Sequence, residues 1–360
     1  MTATERRGFV CGGSWAVDRI KLVDRWPDQE TLARITATDR QGGGSAHNFG
    51  VDIRKLDPSM PVDAIGLLGN DADGDFLFEK AREMGIDTGQ LHRTGVAATS
   101  YTDVMSVTGT GKRTFFHDVG TNHLLTPDHF DFSSTTCRVL HLGLLGLHSQ
   151  LDNPWRDDAN GWVTILKTAQ SAGLETNVEL VSIEGTRIRQ LCLPCLPYLD
   201  TLIVNDHEIG GLSGIPTITD GRTDRSLCRQ AALAVLDEGN MRLVAVHYPE
   251  GAVCVTREGH VFEAPSVSVP SEAIGSTVGA GDAFAAGLLW ALHTGWPVEH
   301  ALQLAHAVAA SSLRSQTTVG SVEDVDSCLQ LSGFTRPHEI AGPPTQTLES
   351  VTPIPLDTGL

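Results

Sequence analysis

Residues 275–282 read Gly-Ser-Thr-Val-Gly-Ala-Gly-Asp, and the chain on either side indicates what this octapeptide does. A Val-rich segment, residues 261–269, precedes it, and a segment rich in Ala and Leu, residues 283–292, follows it. Ala and Leu favour helices, so we expect the glycines at a turn that opens a helix. Backbone N–H groups at such a turn can approach an anion closely, and the helix dipole favours negative charge there.

Asp282 ends this stretch, although a carboxylate beside a bound anion is unfavourable. An Asp in the first turn of a helix complements the helix dipole, which is a sufficient structural explanation. A chemical explanation is that the carboxylate takes a proton from a hydroxyl while N–H groups stabilise a transferring phosphoryl group. A P-loop is excluded because no Lys follows these glycines. The nearest alternative, residues 109–114, is better interpreted as a hairpin turn between two strands.

Composition narrows the class of protein. The chain has 360 residues, 41% of them hydrophobic and 19% charged, which is enough for one large globular domain. The formal net charge of −18 and the lack of a basic run argue against nucleic-acid binding. We find no signal peptide and no apolar run long enough to span a membrane, so we expect a cytoplasmic protein. The seven scattered cysteines, including the lone pair Cys192 and Cys195, are interpreted as ordinary thiols.

Two stretches near the N-terminus are candidate ligand sites. Residues 14–23 alternate polar and apolar side chains, and we expect Asp18 near the end of the first strand, where open α/β sheets gather ligands. A surface carboxylate on an edge strand is the structural alternative. Glycines recur at Gly43 and Gly44, just before a second predicted helix that carries Asn48, and this helix start could also bind a ligand or could be only a capped turn.

The second half of the chain alternates strand and helix patterns from residue 137 onward, which predicts right-handed βαβ units and a parallel sheet. Asn205 and Glu208 lie three residues apart just after one of these strands. A helix capping box explains that spacing. The functional interpretation is a polar pair that orders water around Mg²⁺ and phosphate.

Five motifs in the same order resemble those of the ribokinase-like (PfkB-type) carbohydrate kinases, over about residues 8–330. The matching stretches run from Gly12 to Asp18, from Gly43 to Asn48, from Gly66 to Gly74, from Asn205 to Glu208 and from Thr277 to Asp282. The resemblance implies an α/β fold, the ribokinase-like three-layer α/β/α sandwich, with about nine strands in a mostly parallel central sheet. It implies a kinase domain over residues 1–334, with a small lid of β-strands formed near residues 14–40 and 100–117. Residues 335–360 are Pro-rich and are predicted to be a mobile tail.

The resemblance also implies an ATP-dependent sugar kinase that uses Mg²⁺. Asp282 would be the general base, and the backbone of Gly279, Ala280 and Gly281 would form the anion hole. The substrate contacts would come from Asp18, Gly43, Gly44 and Asn48. The nucleotide contacts would come from Asn205, Glu208, His247, Gly251, Thr277 and His306, with Glu208 reaching the metal ion through water.

Some features leave alternatives open. Ser276 stands where the family usually has Asp, which puts a monovalent-cation site, and potassium activation, in question. A nucleoside kinase of the same fold is one alternative, with Trp15 or Phe49 stacking on a base, and a catalytically idle sugar sensor is another. We expect a small-molecule sugar and ATP as partners, no nucleic acid and no membrane. Because the exposed edge of a sheet can pair with a strand of another molecule, the lid suggests a homodimer.

Overall fold

A computed structural model describes residues 6–108, 113–315 and 317–337. The predicted turn at residues 109–112 and most of the predicted tail, residues 338–360, therefore lie outside the described residues. The strands are β1 (Phe9–Gly13), β2 (Ala16–Val23), β3 (Ile35–Gly43), β4 (Val62–Gly69), β5 (Asp87–Thr94), β6 (Tyr101–Val107), β7 (Arg113–Asp118), β8 (Val139–Leu145), β9 (Glu175–Leu180), β10 (Thr201–Asn205), β11 (Ile218–Thr219), β12 (Arg222–Thr223), β13 (Leu243–Tyr248), β14 (Gly251–Thr256) and β15 (Val261–Pro265). The α-helices are α1 (Ser45–Leu56), α2 (Ala72–Glu83), α3 (Gly161–Ser171), α4 (Gly185–Cys192), α5 (Asp206–Ser213), α6 (Arg225–Glu238), α7 (Ala280–His293), α8 (Val298–Ser312) and α9 (Val325–Ser332).

A nine-stranded sheet crosses the protein in the order β15-β14-β13-β10-β9-β8-β1-β4-β5. Seven of these strands run parallel, and the β13–β14 and β14–β15 pairs are antiparallel at one edge. Helices cover both faces, so a central strand such as β1 is buried along its whole length. One core packs α1, α7, α8 and α9 against the sheet, and the other packs α3, α4, α5 and α6. This is the predicted three-layer α/β/α sandwich.

A separate four-stranded sheet, in the order β3-β2-β6-β7, forms the lid. The prediction that Asp18 ends the first strand is wrong, because β1 ends at Gly13 and Asp18 is the third residue of β2 in the lid. Gly13 takes φ 115°, and a Cβ there would overlap the carbonyl oxygen of Gly143. The chain turns at this glycine and leaves the central sheet. The lid is thus connected directly to the central strand.

All seven cysteines lie in the described part of the chain, and each is a buried free thiol. Over residues 6–108, 113–315 and 317–337, no helix combines the length and the apolar character that a bilayer crossing needs. The cytoplasmic location stays a prediction.

Helix α7 is nearly enclosed, with every residue from 283 to 291 buried. Gly287 allows α8 to approach, since a Cβ at Gly287 would lie 2.9 Å from the Cα of Ala305 and 3.0 Å from Val308 Cγ2. The obstacle is backbone, which cannot rotate away as a flexible side chain can. The close packing of α7 on α8 therefore fixes the direction in which the first turn of α7 points.

We expect Gly287→Ala to destabilise the protein by about 1–3 kcal/mol, because overpacking outweighs the gain of about 1 kcal/mol in helix propensity. Gly50→Ala in α1 is the matched control, since a Cβ there would make an ordinary contact at 3.4 Å with Cys11 Sγ. The measurement is the urea midpoint of unfolding. Equal shifts for the two variants would contradict the packing argument.

Candidate active site

A cavity of about 220 Å³ lies between the lid and the start of α7. Of the predicted site residues, Asp18, Gly44, Asn48 and Asp282 line it together, although they come from three distant parts of the chain. The sheet, the α1 start and the α7 start therefore meet at one place. Its complete lining is Ser14, Ala16, Asp18, Ile20, Gly44, Ser45, Asn48, Thr102, Val104, Arg113, Phe115, His117, Leu144, Leu147, Val278, Asp282, Thr317 and Thr318.

The start of α7 has the backbone geometry of an anion site. Gly279 is the N-cap in the left-handed region at φ 86°, and a Cβ there would lie 2.5 Å from the carbonyl oxygen of Thr318. Only glycine fits this position without strain. No side chain caps the helix within the described residues. The first N–H groups of any α-helix lack an acceptor inside it, so those of Gly281 and Asp282 are suited to an anion.

Asp282 is held in place from α1. Asn48 Nδ2 donates a hydrogen bond of 2.7 Å to Asp282 Oδ2, and Asn48 Oδ1 accepts one of 3.0 Å from Thr318 Oγ1. Because the hydroxyl occupies the amide oxygen, the amide nitrogen of Asn48 faces the carboxylate. Burial raises the pKa of Asp282 well above its usual range, and the neighbouring Glu179 raises it further. The hydrogen bond from Asn48 opposes this rise.

Glu179, near the end of β9, belongs to the site but was missed from the sequence. Burial raises its pKa to about 7, while a hydrogen bond shared with Asp282 lowers it and the charge of Glu208 raises it. Two carboxyl groups that share a hydrogen bond must hold a proton between them. The sequence signal was weak, because β9 reads Glu-Thr-Asn-Val-Glu-Leu and nothing in it distinguishes Glu179 from Glu175.

His141 also contacts Glu179, and its hydrogen bonds define the state of its ring. Asn177 Nδ2 donates to the carbonyl oxygen of Thr201, so Asn177 Oδ1 faces His141 Nδ1 at 2.9 Å and accepts its N–H. Burial lowers the pKa of His141 to about 4, so the ring is neutral and its Nε2 is an acceptor. Nε2 lies 3.1 Å from Glu179 Oε2 and can accept a hydrogen bond from it only when Glu179 is protonated. The contact is therefore a hydrogen bond and not an ion pair.

Asp18 faces the cavity from the lid. Burial raises its pKa to about 7, Thr102 and Arg113 lower it, and the charge of Asp282 raises it. Gly43 makes room for this carboxylate, because a Cβ at Gly43 would lie 2.6 Å from Asp18 Oδ2. The glycine pair that the sequence singled out thus has two roles: Gly43 ends β3 beside Asp18, and Gly44 turns the chain into α1 at φ 86°.

Asn205 and Glu208 form the capping box of α5. Asn205 Oδ1 accepts from the Glu208 N–H at 2.8 Å, and Glu208 Oε2 accepts from the Asn205 N–H at 3.1 Å. Ser182 Oγ donates to Glu208 Oε1 at 2.9 Å, so both carboxylate oxygens are already engaged. Burial raises the pKa of Glu208 to about 7. This donor set fits a hydrated Mg²⁺, which the carboxylate would reach through water, better than a directly ligated one.

The other predicted nucleotide residues do not line the cavity. His247 pairs with Asn205 across β13 and β10, and its ring lies 3.6 Å from where a Gly281 Cβ would be. His306 is buried under α7, where its ring centroid is 5.1 Å from that of Phe284. Burial lowers the pKa of both histidines to about 4, so both are neutral.

Two further nucleotide predictions have structural explanations. A Cβ at Gly251 would lie 2.5 Å from the carbonyl oxygen of Ala264, so this glycine permits the pairing of β14 with β15. Thr277 lies in the turn before α7, where its carbonyl oxygen accepts the Ala280 N–H at 3.4 Å. Nucleotide contacts of both residues stay predictions.

Arg113, the first residue of β7 in the lid, is the second residue that the sequence did not reveal. Its Nη1 donates to Ser276 Oγ at 2.6 Å, and its Nη2 donates to the carbonyl oxygen of Gly275 at 3.2 Å. Ser276 Oγ also accepts the Val278 N–H at 3.0 Å. The position where the sequence departs from the expected Asp is therefore bound by a cation from the lid.

Comparisons with known proteins agree with this architecture. The model of the pfkB family of carbohydrate kinases matches residues 7–325, and the chain belongs to this family. Its members are phosphotransferases that act on hydroxyl acceptors. The chain is 28% identical over 293 residues to an ATP-dependent ribose-1-phosphate kinase from Halopiger xanaduensis, covering 80% of this chain and 86% of the relative. It is 23% identical over 319 residues to ketohexokinase from Mus musculus, covering 88% and 100%.

Solved structures confirm the fold. Ribokinase from Arabidopsis thaliana, complexed with ribose and ATP, superposes with a TM-score of 0.73 at 20% identity, covering 92% of this chain and all of the other. A nucleoside kinase from Methanocaldococcus jannaschii gives 0.69 at 17% identity, covering 91% and 99%. A putative ribokinase II from E. coli in complex with ATP and Mg²⁺ gives 0.73 at 18% identity, covering 90% and 98%.

Proposed function

We propose that this kinase transfers the γ-phosphate of ATP to a hydroxyl of a sugar or sugar derivative, with Asp282 as the general base. The observation that carries the proposal is the position of Asp282, which is fixed by Asn48 at the start of α7 and faces the cavity that Asp18 also lines. The Asp282 carboxylate takes the proton of the acceptor hydroxyl. The acceptor oxygen then bonds to the γ-phosphorus as the bond to the bridging oxygen breaks, and ADP leaves.

The backbone of residues 279–281 would stabilise the phosphoryl group in transfer, because its N–H groups lie at the positive end of α7. Mg²⁺ would bring the positive charge that offsets the phosphates, held through water near Glu208 and Asn205. The lid strands over the cavity would exclude water that could otherwise attack ATP. The structures with ribose and ATP, and with ATP and Mg²⁺, support this assignment by analogy.

The nucleoside-kinase alternative stays open, but the two rings suggested for stacking on a base are buried. Trp15 is fully buried, and its ring packs edge-on against His47 at 5.5 Å. Phe49 is also fully buried and stacks on His141 at 3.8 Å. Neither ring is available to a base. The polar groups facing the cavity, Asp18 among them, suit the hydroxyls of a sugar.

The first experiment measures ADP release from Mg-ATP with ketoses, aldoses, sugar acids, sugar phosphates and nucleosides. We expect one acceptor class to stimulate release, and Asp282→Asn to reduce it by ~10²-fold or more, as loss of a general base predicts. Asp157→Asn, at an exposed position outside the cavity, is the control and should keep full activity. If no acceptor stimulates release but a sugar raises the melting temperature, the chain is a sensor and the proposal fails.

The same assay examines the cation requirement. Since Ser276 supplies no charge where many relatives have Asp, we propose that potassium is not required. Replacing potassium by tetramethylammonium should leave the rate unchanged within about twofold. A loss of activity that potassium restores would show a cation site despite the serine.

The dependence of the rate on pH gives a further prediction. Asp282 must lose its proton to act as a base, so its raised pKa places the acid limb of the kcat/KM profile well above that of an ordinary carboxylate. The negative charge of Glu179 and its hydrogen bond with Asp282 both raise the pKa of Asp282, so in Glu179→Gln that pKa falls and the limb moves to lower pH. Glu175→Gln is the control, because Glu175 lies on the same strand but pairs with Arg138 and Arg242. A limb that stays in place, or moves upward, in Glu179→Gln would refute the coupling.

We further propose that two copies pair through their lids. Strands β3 and β7 are the edges of the lid sheet within the described residues, and apolar side chains beside them are about half exposed: Ile35 48%, Phe116 53% and Trp26 50%. Such an edge favours pairing with another strand. Light scattering should give twice the chain mass, and Phe116→Lys should weaken the dimer. A single-chain mass across concentrations would exclude it.

A further inference from the structure

Two carboxyl groups and one guanidinium are among the side chains that line the cavity. Asp18 and Asp282 line it, and their mutual repulsion raises the pKa of Asp18. Asp52, fully buried in α1, is coupled to the same site, because burial and the charge of Asp282 both raise its pKa. Among the residues that line the cavity in the described chain, Arg113 is the one Lys or Arg. If ATP is bound as proposed, its phosphates add further negative charge. The positive charge of Arg113 would then offset part of it.

Arg113 connects the lid to the loop that precedes α7. It belongs to the lid strand β7, yet it donates to Ser276 Oγ and to the Gly275 carbonyl in the loop that leads into α7. Ser276 Oγ in turn accepts the Val278 N–H. A continuous path of hydrogen bonds therefore runs from the lid, through one serine hydroxyl, to the residue before Gly279.

The chemistry of Ser276 matters for this path. A serine oxygen accepts a hydrogen bond from a guanidinium without bringing a negative charge. An aspartate at the same place would form an ion pair with Arg113 and cancel much of its field. With serine, residue 276 does not neutralise the guanidinium, which orders the loop and brings a positive charge, shared with Asp18, to the helix start where a phosphoryl group in transfer would need it.

We propose that Arg113 is a positioning residue that the lid supplies to the anion-hole loop, ordering residues 275–278 and bringing positive charge to the site of phosphoryl transfer. This inference rests on the proposed kinase function. It follows that the anion hole is complete only while the lid covers the cavity. Transfer to an acceptor under the lid is then favoured over hydrolysis of ATP in an open site.

The test compares Arg113→Met and Arg113→Lys with Arg40→Met as a matched control. Arg40 is also a lid arginine, but it pairs with Asp73, stacks over Phe76 and lies outside the cavity. With the acceptor found by the panel, we expect Arg113→Met to lower kcat by ~10²-fold, as loss of one donor to a developing anion does, with the KM values changed less than about threefold. Arg113→Lys should recover part of the loss, and Arg40→Met should show none.

Hydrogen exchange gives a readout that needs no acceptor. The amides of residues 275–280 should exchange faster in Arg113→Met and in Ser276→Ala than in wild type or in Arg40→Met. Unchanged exchange, or an equal loss of kcat in Arg40→Met, would overturn the inference. A rise in KM confined to anionic acceptors would also overturn it, since Arg113 would then be an acceptor contact. If the panel yields no acceptor, the proposed function fails, while the exchange result still decides whether Arg113 holds the loop.

Discussion

The hydrogen bond between Asn48 and Asp282 is the contact on which the site depends. It joins the start of α1 to the start of α7, across 234 positions of sequence, at 2.7 Å. Each helix begins after a glycine at φ 86°, Gly44 in one case and Gly279 in the other. These glycines let the backbone turn sharply enough for two helix N-termini to converge on one cavity. Moving either helix by an ångström would separate the amide from the carboxylate and leave Asp282 without its fixed orientation.

This convergence also determines the electrostatics. The positive ends of two helices lower the cost of keeping carboxylates nearby, but burial still raises the pKa of Asp18, Glu179 and Asp282. The surrounding histidines do not offset that charge, because burial keeps His141 and His247 neutral. Most of the compensation must therefore come from protons, from Arg113 and from whatever cation accompanies a bound nucleotide. A site built this way is poorly suited to holding all its carboxylates ionised when it is empty.

The sequence predicted the fold and part of the site for physical reasons that are local. Alternating strand and helix patterns predicted the parallel sheet, the family resemblance supplied the three-layer sandwich, and glycines before helix-forming segments predicted both helix starts. Asp18, Asn48 and Asp282 became candidates because each lies in or next to such a segment, and their proposed roles came from the family resemblance. Asp18 was nevertheless assigned to the wrong strand, since the turn at Gly13 into the lid depends on its close approach to Gly143 on a neighbouring strand. That approach cannot be inferred from residues 8–18 alone.

Residues whose role comes from a distant partner were not predictable in this way. Glu179 is one of two acidic residues in β9, and only the tertiary fold that brings it within hydrogen-bond distance of Asp282 makes it a proton partner of that residue. The role of Ser276 also depends on a residue that is distant in the sequence. Considered alone, a serine in place of the expected Asp removes a charge from the motif, which favours a catalytically inactive protein. Arg113 lies 163 positions away and donates to that serine, so the loop keeps both an ordering contact and a charge. Ser276 can be interpreted only together with Arg113. A serine at this motif position is therefore weak evidence against catalysis.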